Sequence, residues 1–355
     1  MGVGVNRVRA PGDGVSTRND QARTELRHAA LPGRDRMQRA IGDAVATRSG
    51  RTPGANLGLM LLGHLLDGIP ESRMLVLADG PLNGTPFASL PIPGAGGELL
   101  IDRFVLGYAP SLALAMEKSR PAKTHNTLVA VVSDPVYAAD DRRLTVGRNG
   151  NSGTLRSAPP PSSNNLTRLP YSALEASAVT KAFGSDGTIQ LSGFEATATR
   201  VMQLPSSDLA VLHFATHAEA RRDSPEQSAL YLSEYTPDGA LLPSSRLTAN
   251  DIARSGLRAD VVVLSGCATG DGSALRGEGV LGLTYGFLAN GSLSVVAALW
   301  PIEDASTARF MKEFYVAYRQ SGRAADALRI AQLRTRGSTA TSMWSSFVVR
   351  ANEFP

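Results

Sequence analysis

From Tyr171 to the carboxyl end the chain alternates helical stretches with strand-like runs, and those runs are nearly unbroken Val, Leu and Ile. The helical stretches ALEASAVTKAF, ATATRVMQL, TANDIARSG and GEGVLGLTYGFLAN separate the runs IQL, DLAVLHFA, SALYLS, DVVVLS and SVVAALW. Two long helices, DASTARFMKEFYVAYRQ and AADALRIAQLRTR, then precede a last run, SFVVR. Strands without a polar side are buried on both faces, as strands of a helix-covered parallel sheet are. The pattern predicts an α/β fold: a mostly parallel central sheet with helices on both faces. Such sheets gather their chemistry at the carboxyl ends of the strands. Two reactive side chains fall there, His217 just past DLAVLHFA and Cys267 just past residues 261–264 in LSGCATGDG.

The upstream chain reads as a smaller unit of the same kind. Ordered structure is expected from about Leu57, where LGLMLLGHLL has helical apolar spacing, followed by the strand-like MLVLAD, a turn at DGPLNGTP, and a further strand in TLVAVVSDP. Residues 1–50 are Arg-rich without sustained periodicity and are expected to form a flexible or partner-docked arm. Residues 51–139 are expected to form the smaller α/β half, and 171–355 the larger one. Between them, residues 140–170 are so rich in Pro, Ser, Gly and polar groups that a mobile loop or cleavable linker is expected.

At 355 residues the chain suits two α/β units, or one large unit with an appendage. Its 43% hydrophobic and 19% charged residues are ordinary for a soluble globular protein, and no apolar stretch is long enough to span a bilayer. The amino terminus, MGVGVNRVRAPGDG, lacks the apolar core of a secretory signal, and one cysteine makes no internal disulfide, so a cytoplasmic location is expected. Arginine supplies 32 of the 36 basic residues, yet the net charge is only +4 and no basic helix interleaves aromatics. Neither a nucleic acid nor a membrane is expected as a partner.

Cys267 and His217 are the pair a cysteine hydrolase uses. A free thiol has a pKa near ~8.5, so a neighbouring imidazole or helix dipole must raise its thiolate fraction. Two other readings compete. His213 and His217 have the i,i+4 spacing of a zinc-binding helix, but the segment is β-rich, and on a strand the two lie about 13 Å apart. His213 is therefore expected as a packed or hydrogen-bonded support for the histidine loop, and no metal is expected. GEGVLG matches a dinucleotide-binding glycine pattern, but that pattern must begin at the end of its strand, and here the cysteine loop intervenes. Close packing of the helix start explains those glycines better, and no cofactor is expected. A lone buried cysteine is commonly inert. Against that, the flanking Gly266 and Gly270 give this thiol a turn rather than a core position.

The strings HFATHA, LSGCATGDG, RGEGVLGLTYGFLANGSLSVVAALWPIEDASTARFMKEFY and GRAADALRIAQ, with MLVLADGPLNGTPFASLP and LPYSALEASAV upstream, resemble the CHAT domain over about residues 55–355. This is a family of caspase-like peptidases from the clan that holds separases, gingipains and clostripain. The resemblance implies a caspase-like sandwich with a non-catalytic amino-terminal half, a catalytic dyad at Cys267 and His217, and an oxyanion hole from the backbone N–H groups of Cys267 and Ala218. The family usually has Gly at the position of Ala218. If a positive φ is needed there, alanine costs about 1 kcal/mol and turns the N–H away. Glu219 beyond it either orients or inhibits the site. Asp271 and Glu278 are candidates to line a pocket for a basic substrate residue, or alternatively a turn residue and a first-turn acid favouring the helix dipole. Asp304 reads first as the N-cap of DASTARFMKEFY and second as a site residue. The expected activity is hydrolysis of a protein substrate through a thioester, under control of a regulatory protein partner or signal. The alternative is an inactive caspase-like scaffold that binds other proteins.

Overall fold

A computed structural model describes residues 4–7, 25–28, 55–63, 66, 70, 72–78, 80–109, 128–145, 166–206, 208–221, 223–266 and 279–351. The strands are β1 (Gly4–Arg7), β2 (Glu25–His28), β3 (Arg73–Leu77), β4 (Val105–Tyr108), β5 (Leu128–Ser133), β6 (Thr188–Ser192) and β7 (Leu209–Ala215). They continue with β8 (Ala218–Glu219), β9 (Ala229–Tyr231), β10 (Arg246–Thr248), β11 (Val261–Leu264), β12 (Ser294–Ala298) and β13 (Phe347–Ala351). Helices α1 (Ala55–Leu62), α2 (Leu100–Arg103), α3 (Ser172–Phe183), α4 (Ala198–Met202) and α5 (Ala249–Ser255) are followed by α6 (Gly279–Ala289), α7 (Asp304–Ser321), α8 (Ala324–Thr335) and α9 (Thr341–Trp344).

One sheet runs in the order β2-β1-β3-β4-β13-β12-β11-β7-β5-β6. Its centre pairs β12, β11, β7, β5 and β6 in parallel, and β3 and β4 pair in parallel beside β13. β13 is parallel to β4 but antiparallel to β12. Because successive strand residues point to opposite faces, each central strand feeds two cores. Val129, Val131, Val211, Val261, Val263 and Val296 meet Val179 of α3, Phe310, Phe314 and Tyr315 of α7 and Leu328 of α8. On the other face Val132, Leu212, Phe214, Val262, Leu264 and Val295 meet Val201 of α4, Ile252 of α5 and Phe287 of α6. Burying each such aromatic ring contributes about 2–3 kcal/mol. The ring of Phe310 stacks on that of Phe347, centroids 4.8 Å apart, and so fixes α7 to β13. This is the α/β sandwich that the alternation predicts.

A second sheet, β10-β9-β8, is short and antiparallel, and it takes in the run SALYLS as β9. The amino-terminal unit packs its own core from Leu57, Leu61, Met74, Val76, Phe87, Leu106 and Tyr108 against Val348 and Trp344. Polar contacts join it to α8: Arg73 forks onto Asp326 at 2.8 and 3.0 Å, and Arg329 donates to the carbonyls of Ile101 and Asp102 at 2.8 and 2.6 Å. β1 and β2 extend the sheet beyond β3 from within the first 50 residues. At the two ends of the 140–170 segment, Leu144 is buried with Val136 and Tyr235, and residues 166–170, exposed or half-buried, run into α3.

The order of strands sets the site. From β5 the chain passes outward to β6, then returns across β5 to form β7 on its other side. The connections thus diverge between β5 and β7, and an open α/β sheet binds its ligands beyond the carboxyl ends of such a pair.

Candidate active site

His217 stands two residues past the end of β7, beside this crevice. Its side chain is buried and, among the described residues, makes one short polar contact: Nε2 lies 2.6 Å from the carbonyl oxygen of Thr167. A carbonyl only accepts, so the proton of the neutral ring sits on Nε2 and the lone pair is left on Nδ1. Burial holds the imidazole below its ordinary pKa, and the bond to Thr167 opposes that shift. At neutral pH the ring is uncharged and able to take a proton.

Tyr137, in the segment following β5, supports this histidine from beneath. Its hydroxyl accepts from the His217 N–H at 3.1 Å and donates to the Tyr231 carbonyl at 3.3 Å, while its ring lies 5.0 Å from the imidazole. Burial pushes the phenol far above its usual range, so the proton for that second bond stays in place. The Tyr231 N–H donates to the His217 carbonyl at 2.8 Å, which ties the histidine to β9.

The exit of β11 is pressed onto the exit of β7. The ladder runs from Val261–Val211 to Leu264–Phe214, and the Ser265 N–H continues it by donating to the Phe214 carbonyl at 3.1 Å. Gly266 follows. A Cβ there would come within 1.5 Å of the Thr216 carbonyl oxygen, so no other residue fits. The residue before Cys267 therefore lies against the residue before His217. Cys267 itself lies outside the described residues, as do Asp271 and Glu278.

Ala218 opens β8 opposite Leu230. Among the described residues Asp134 is the non-glycine with positive φ, so the backbone at Ala218 is not in the left-handed region and alanine carries no conformational penalty there. Since His217 and Tyr231 occupy the hydrogen-bonded position of the ladder, the N–H of Ala218 points away from β9. The Glu219 carboxylate accepts from the Tyr231 hydroxyl at 2.8 Å and from Arg246 at 3.0 Å, and pairs with Arg221 at 3.3 Å. Its charge is balanced within the small sheet.

His213 lies on the opposite face of β7, fully buried. The Tyr315 hydroxyl is 2.7 Å from Nδ1, and the Glu175 carboxylate is 3.1 Å from Nε2. Burial keeps the Tyr315 phenol protonated, so it donates to Nδ1 while Nε2–H donates to Glu175. The Ser265 hydroxyl, 3.3 Å from Nε2, joins the same cluster to the end of β11. Both ring nitrogens are thus occupied, and the cluster locks α3, α7, β7 and β11 together beneath the rim. Replacing Glu175 with alanine strands a buried donor, and thermal or urea unfolding should record a loss of about 2 kcal/mol.

Asp304 is the first residue of α7 rather than its N-cap. The cap is Glu303, whose carboxylate accepts from the Ser306 hydroxyl at 2.8 Å, and the Asp304 carboxylate instead accepts from the Tyr171 N–H at 2.8 Å. Burial, aided by Glu175 and Asp134, raises its pKa. Gly282, the last glycine of GEGVLG, is a packing residue, since a Cβ there would meet the Pro225 carbonyl oxygen at 2.0 Å. Among the described residues no group of His, Cys, Asp and Glu is placed to hold a metal, and no helix is long and apolar enough to cross a membrane.

No motif in the sequence marks Thr167, Tyr137, Glu175 or Tyr315 as neighbours of the two histidines. Thr167 acts through its backbone carbonyl, which every residue type carries, so no sequence signal marks it. Glu175 and Tyr315 are recognisable only as polar residues on otherwise apolar helix faces.

The sequence matches the family described as CHAT domain over residues 51–351. Tetratricopeptide repeat protein 28 of Mus musculus is 27% identical over 340 residues, and its Homo sapiens counterpart 28% over 334; each alignment takes in 82% of this chain. The chain spans only 12% of the length of these relatives. Among solved structures, the complex of Porphyromonas gingivalis RgpB pro- and mature domains aligns at a TM-score of 0.41 and 11% identity, over 70% of this chain and 55% of the other. The Saccharomyces cerevisiae separase–securin complex aligns at 0.39 and 12%, over 73% and 14%.

Proposed function

Since the chain belongs to the CHAT domain family, we propose that it is a cysteine endopeptidase in which Cys267 is the nucleophile and His217 the general base. The observation that carries this reading is the state of His217: Nε2 is capped by the Thr167 carbonyl, leaving Nδ1 as the base, next to the exit of the strand that leads to the only cysteine. The pairing of β7 with β11 has a constant offset of 50 residues. At the strand exits this pairing brings Gly266 against Thr216, the residues that precede Cys267 and His217 in the sequence.

In this mechanism Nδ1 of His217 takes the thiol proton as Sγ of Cys267 attacks the scissile carbonyl carbon. The negative charge that forms on the carbonyl oxygen is met by the N–H groups of Ala218 and Cys267, and loss of one such donor raises the barrier by about 3 kcal/mol. Collapse breaks the C–N bond, and His217 returns its proton to the departing amine. Water, activated by the same nitrogen, then hydrolyses the thioester. Asp271 and Glu278 are the proposed acids of a pocket for a basic side chain, the substrate is a protein, and a regulatory protein partner controls access.

A peptide bearing an electrophilic warhead tests the assignment, because a single cysteine makes the adduct mass unambiguous. Cys267 should be modified stoichiometrically and Cys267→Ala not at all. With the imidazole pKa lowered, His217 stays neutral at pH 7 and gains its proton only on further acidification. The labelling rate should therefore hold through neutrality and fall below about pH 6.5, the ordinary imidazole value. No adduct at any pH would leave the scaffold reading in possession.

A further inference from the structure

We infer that Asp134 and Arg168 are positioning residues for His217, holding the Thr167 carbonyl on Nε2; this rests on the peptidase reading above. Among the described residues, little else holds the segment that bears Thr167. Of residues 166–170, Thr167, Arg168 and Pro170 are exposed, Leu166 and Leu169 are only half-buried, and so no apolar anchor fixes the stretch. What grips it is a fork: Arg168 Nε and one terminal nitrogen donate to the two carboxylate oxygens of Asp134 at 2.8 and 2.7 Å. Two parallel bonds fix direction as well as distance, and an ammonium cannot copy them.

Asp134 is built to be a fixed post. It leaves β5 at φ 49°, in the left-handed region that non-glycine residues seldom adopt. Its N–H donates to the Ser172 hydroxyl at 3.0 Å, and its carbonyl accepts from Arg143 at 2.8 Å. The carboxylate, almost wholly buried, also pairs with Arg143 at 2.9 Å, and Arg143 is itself forked onto Asp141. The Ser172 hydroxyl donates in turn to the Leu169 carbonyl at 2.6 Å, closing the turn into α3. The other anchor, the Tyr171 N–H on Asp304, lies four residues downstream of Thr167. Arg168, the next residue in the chain, is thus the tether nearest the carbonyl that selects the tautomer of His217.

Cutting the fork frees that carbonyl, and the imidazole proton then distributes between Nε2 and Nδ1. Each molecule with the proton on Nδ1 has lost its base. The experiment compares the full-length wild type with Arg168→Met, which keeps the stem, Arg168→Lys, Asp134→Asn, the double variant Asp134→Asn/Arg168→Met, and Arg142→Ala as an exposed arginine outside the fork. Nitrogen-15 shifts of the histidine rings, with His217→Gln to assign the signal, should show one tautomer, Nε2–H, in the wild type and in Arg142→Ala. Arg168→Met should show a mixture, with circular dichroism unchanged. The rate of Cys267 labelling should fall about tenfold to a hundredfold, largely in the maximal rate rather than in half-saturation by the peptide. Arg168→Lys should recover part of it, and the double variant should be no worse than Arg168→Met alone. A single Nε2–H tautomer in Arg168→Met overturns the inference. Because the ring shifts need no turnover, a protein that labels in no variant removes the peptidase reading while the tautomer still decides the role of the fork.

Discussion

His217→Ala should lower kcat/KM for a cleaved peptide by about 10³-fold, with the fold intact. General acid–base assistance by a placed imidazole is worth about 10²- to 10⁴-fold, and in the proposed mechanism this ring serves twice, taking the thiol proton and protonating the amine. The upper half of that range applies because, among the described residues beside it, Tyr137 is no substitute for Nδ1: its hydroxyl touches the His217 backbone but keeps its proton far above neutral pH. Little stability should be lost. The anchors of this stretch, Tyr137 on the N–H and Tyr231 on the carbonyl, are bonds to the backbone that alanine retains. Steady-state kinetics with a melting curve check both halves of the statement, and a variant retaining a tenth or more of wild-type turnover would remove His217 from the chemistry.

Gly266→Ala should be nearly as damaging, for a mechanical reason. The added methyl carbon would sit 1.5 Å from the Thr216 carbonyl oxygen, and the carbonyl carbon is only 2.6 Å away. These are backbone atoms in a fully buried residue, so no side chain can swing aside. The exits of β7 and β11 must separate by more than an ångström. Displacements of that size at a reacting pair cost about 10²-fold in rate, and forced overpacking typically costs 1–3 kcal/mol of stability as well. Gly282→Ala clashes with the Pro225 carbonyl rather than with the residue before His217, and serves as the comparison: destabilised, but with the residual folded protein still labelled at Cys267. Equal labelling rates for Gly266→Ala and wild type would show that the contact does not set the site.

The sandwich was legible because buried strands have no polar face, and Val129–Val132, Val211–Phe214 and Val261–Leu264 carry that mark unmistakably. Strand direction and partner were less so. SALYLS reads like its neighbours yet belongs to the small antiparallel sheet, and SFVVR lies antiparallel to β12, since an apolar run records burial and not which edge it meets. The place of His217 at a strand's end is legible because the strand itself is recognisable. The groups that contact it are not. Thr167 contributes an oxygen common to all residues, and the bridge from His213 to Tyr315 spans 102 positions, far beyond any local pattern. The conformational penalty expected for Ala218 rests on a left-handed backbone, and the antiparallel pairing of β8 does not adopt one.

β13 lies between β4 of the amino-terminal unit and β12 of the larger one, and bonds to both. During synthesis, then, the sheet cannot close until residues 347–351 have cleared the ribosome. Until that moment β4 and β12 each offer a bare hydrogen-bonding edge, a template for pairing with other nascent chains. The complete sheet, and with it the crevice beyond β5 and β7, arrives late and all at once, only when its central strand β13 has been made.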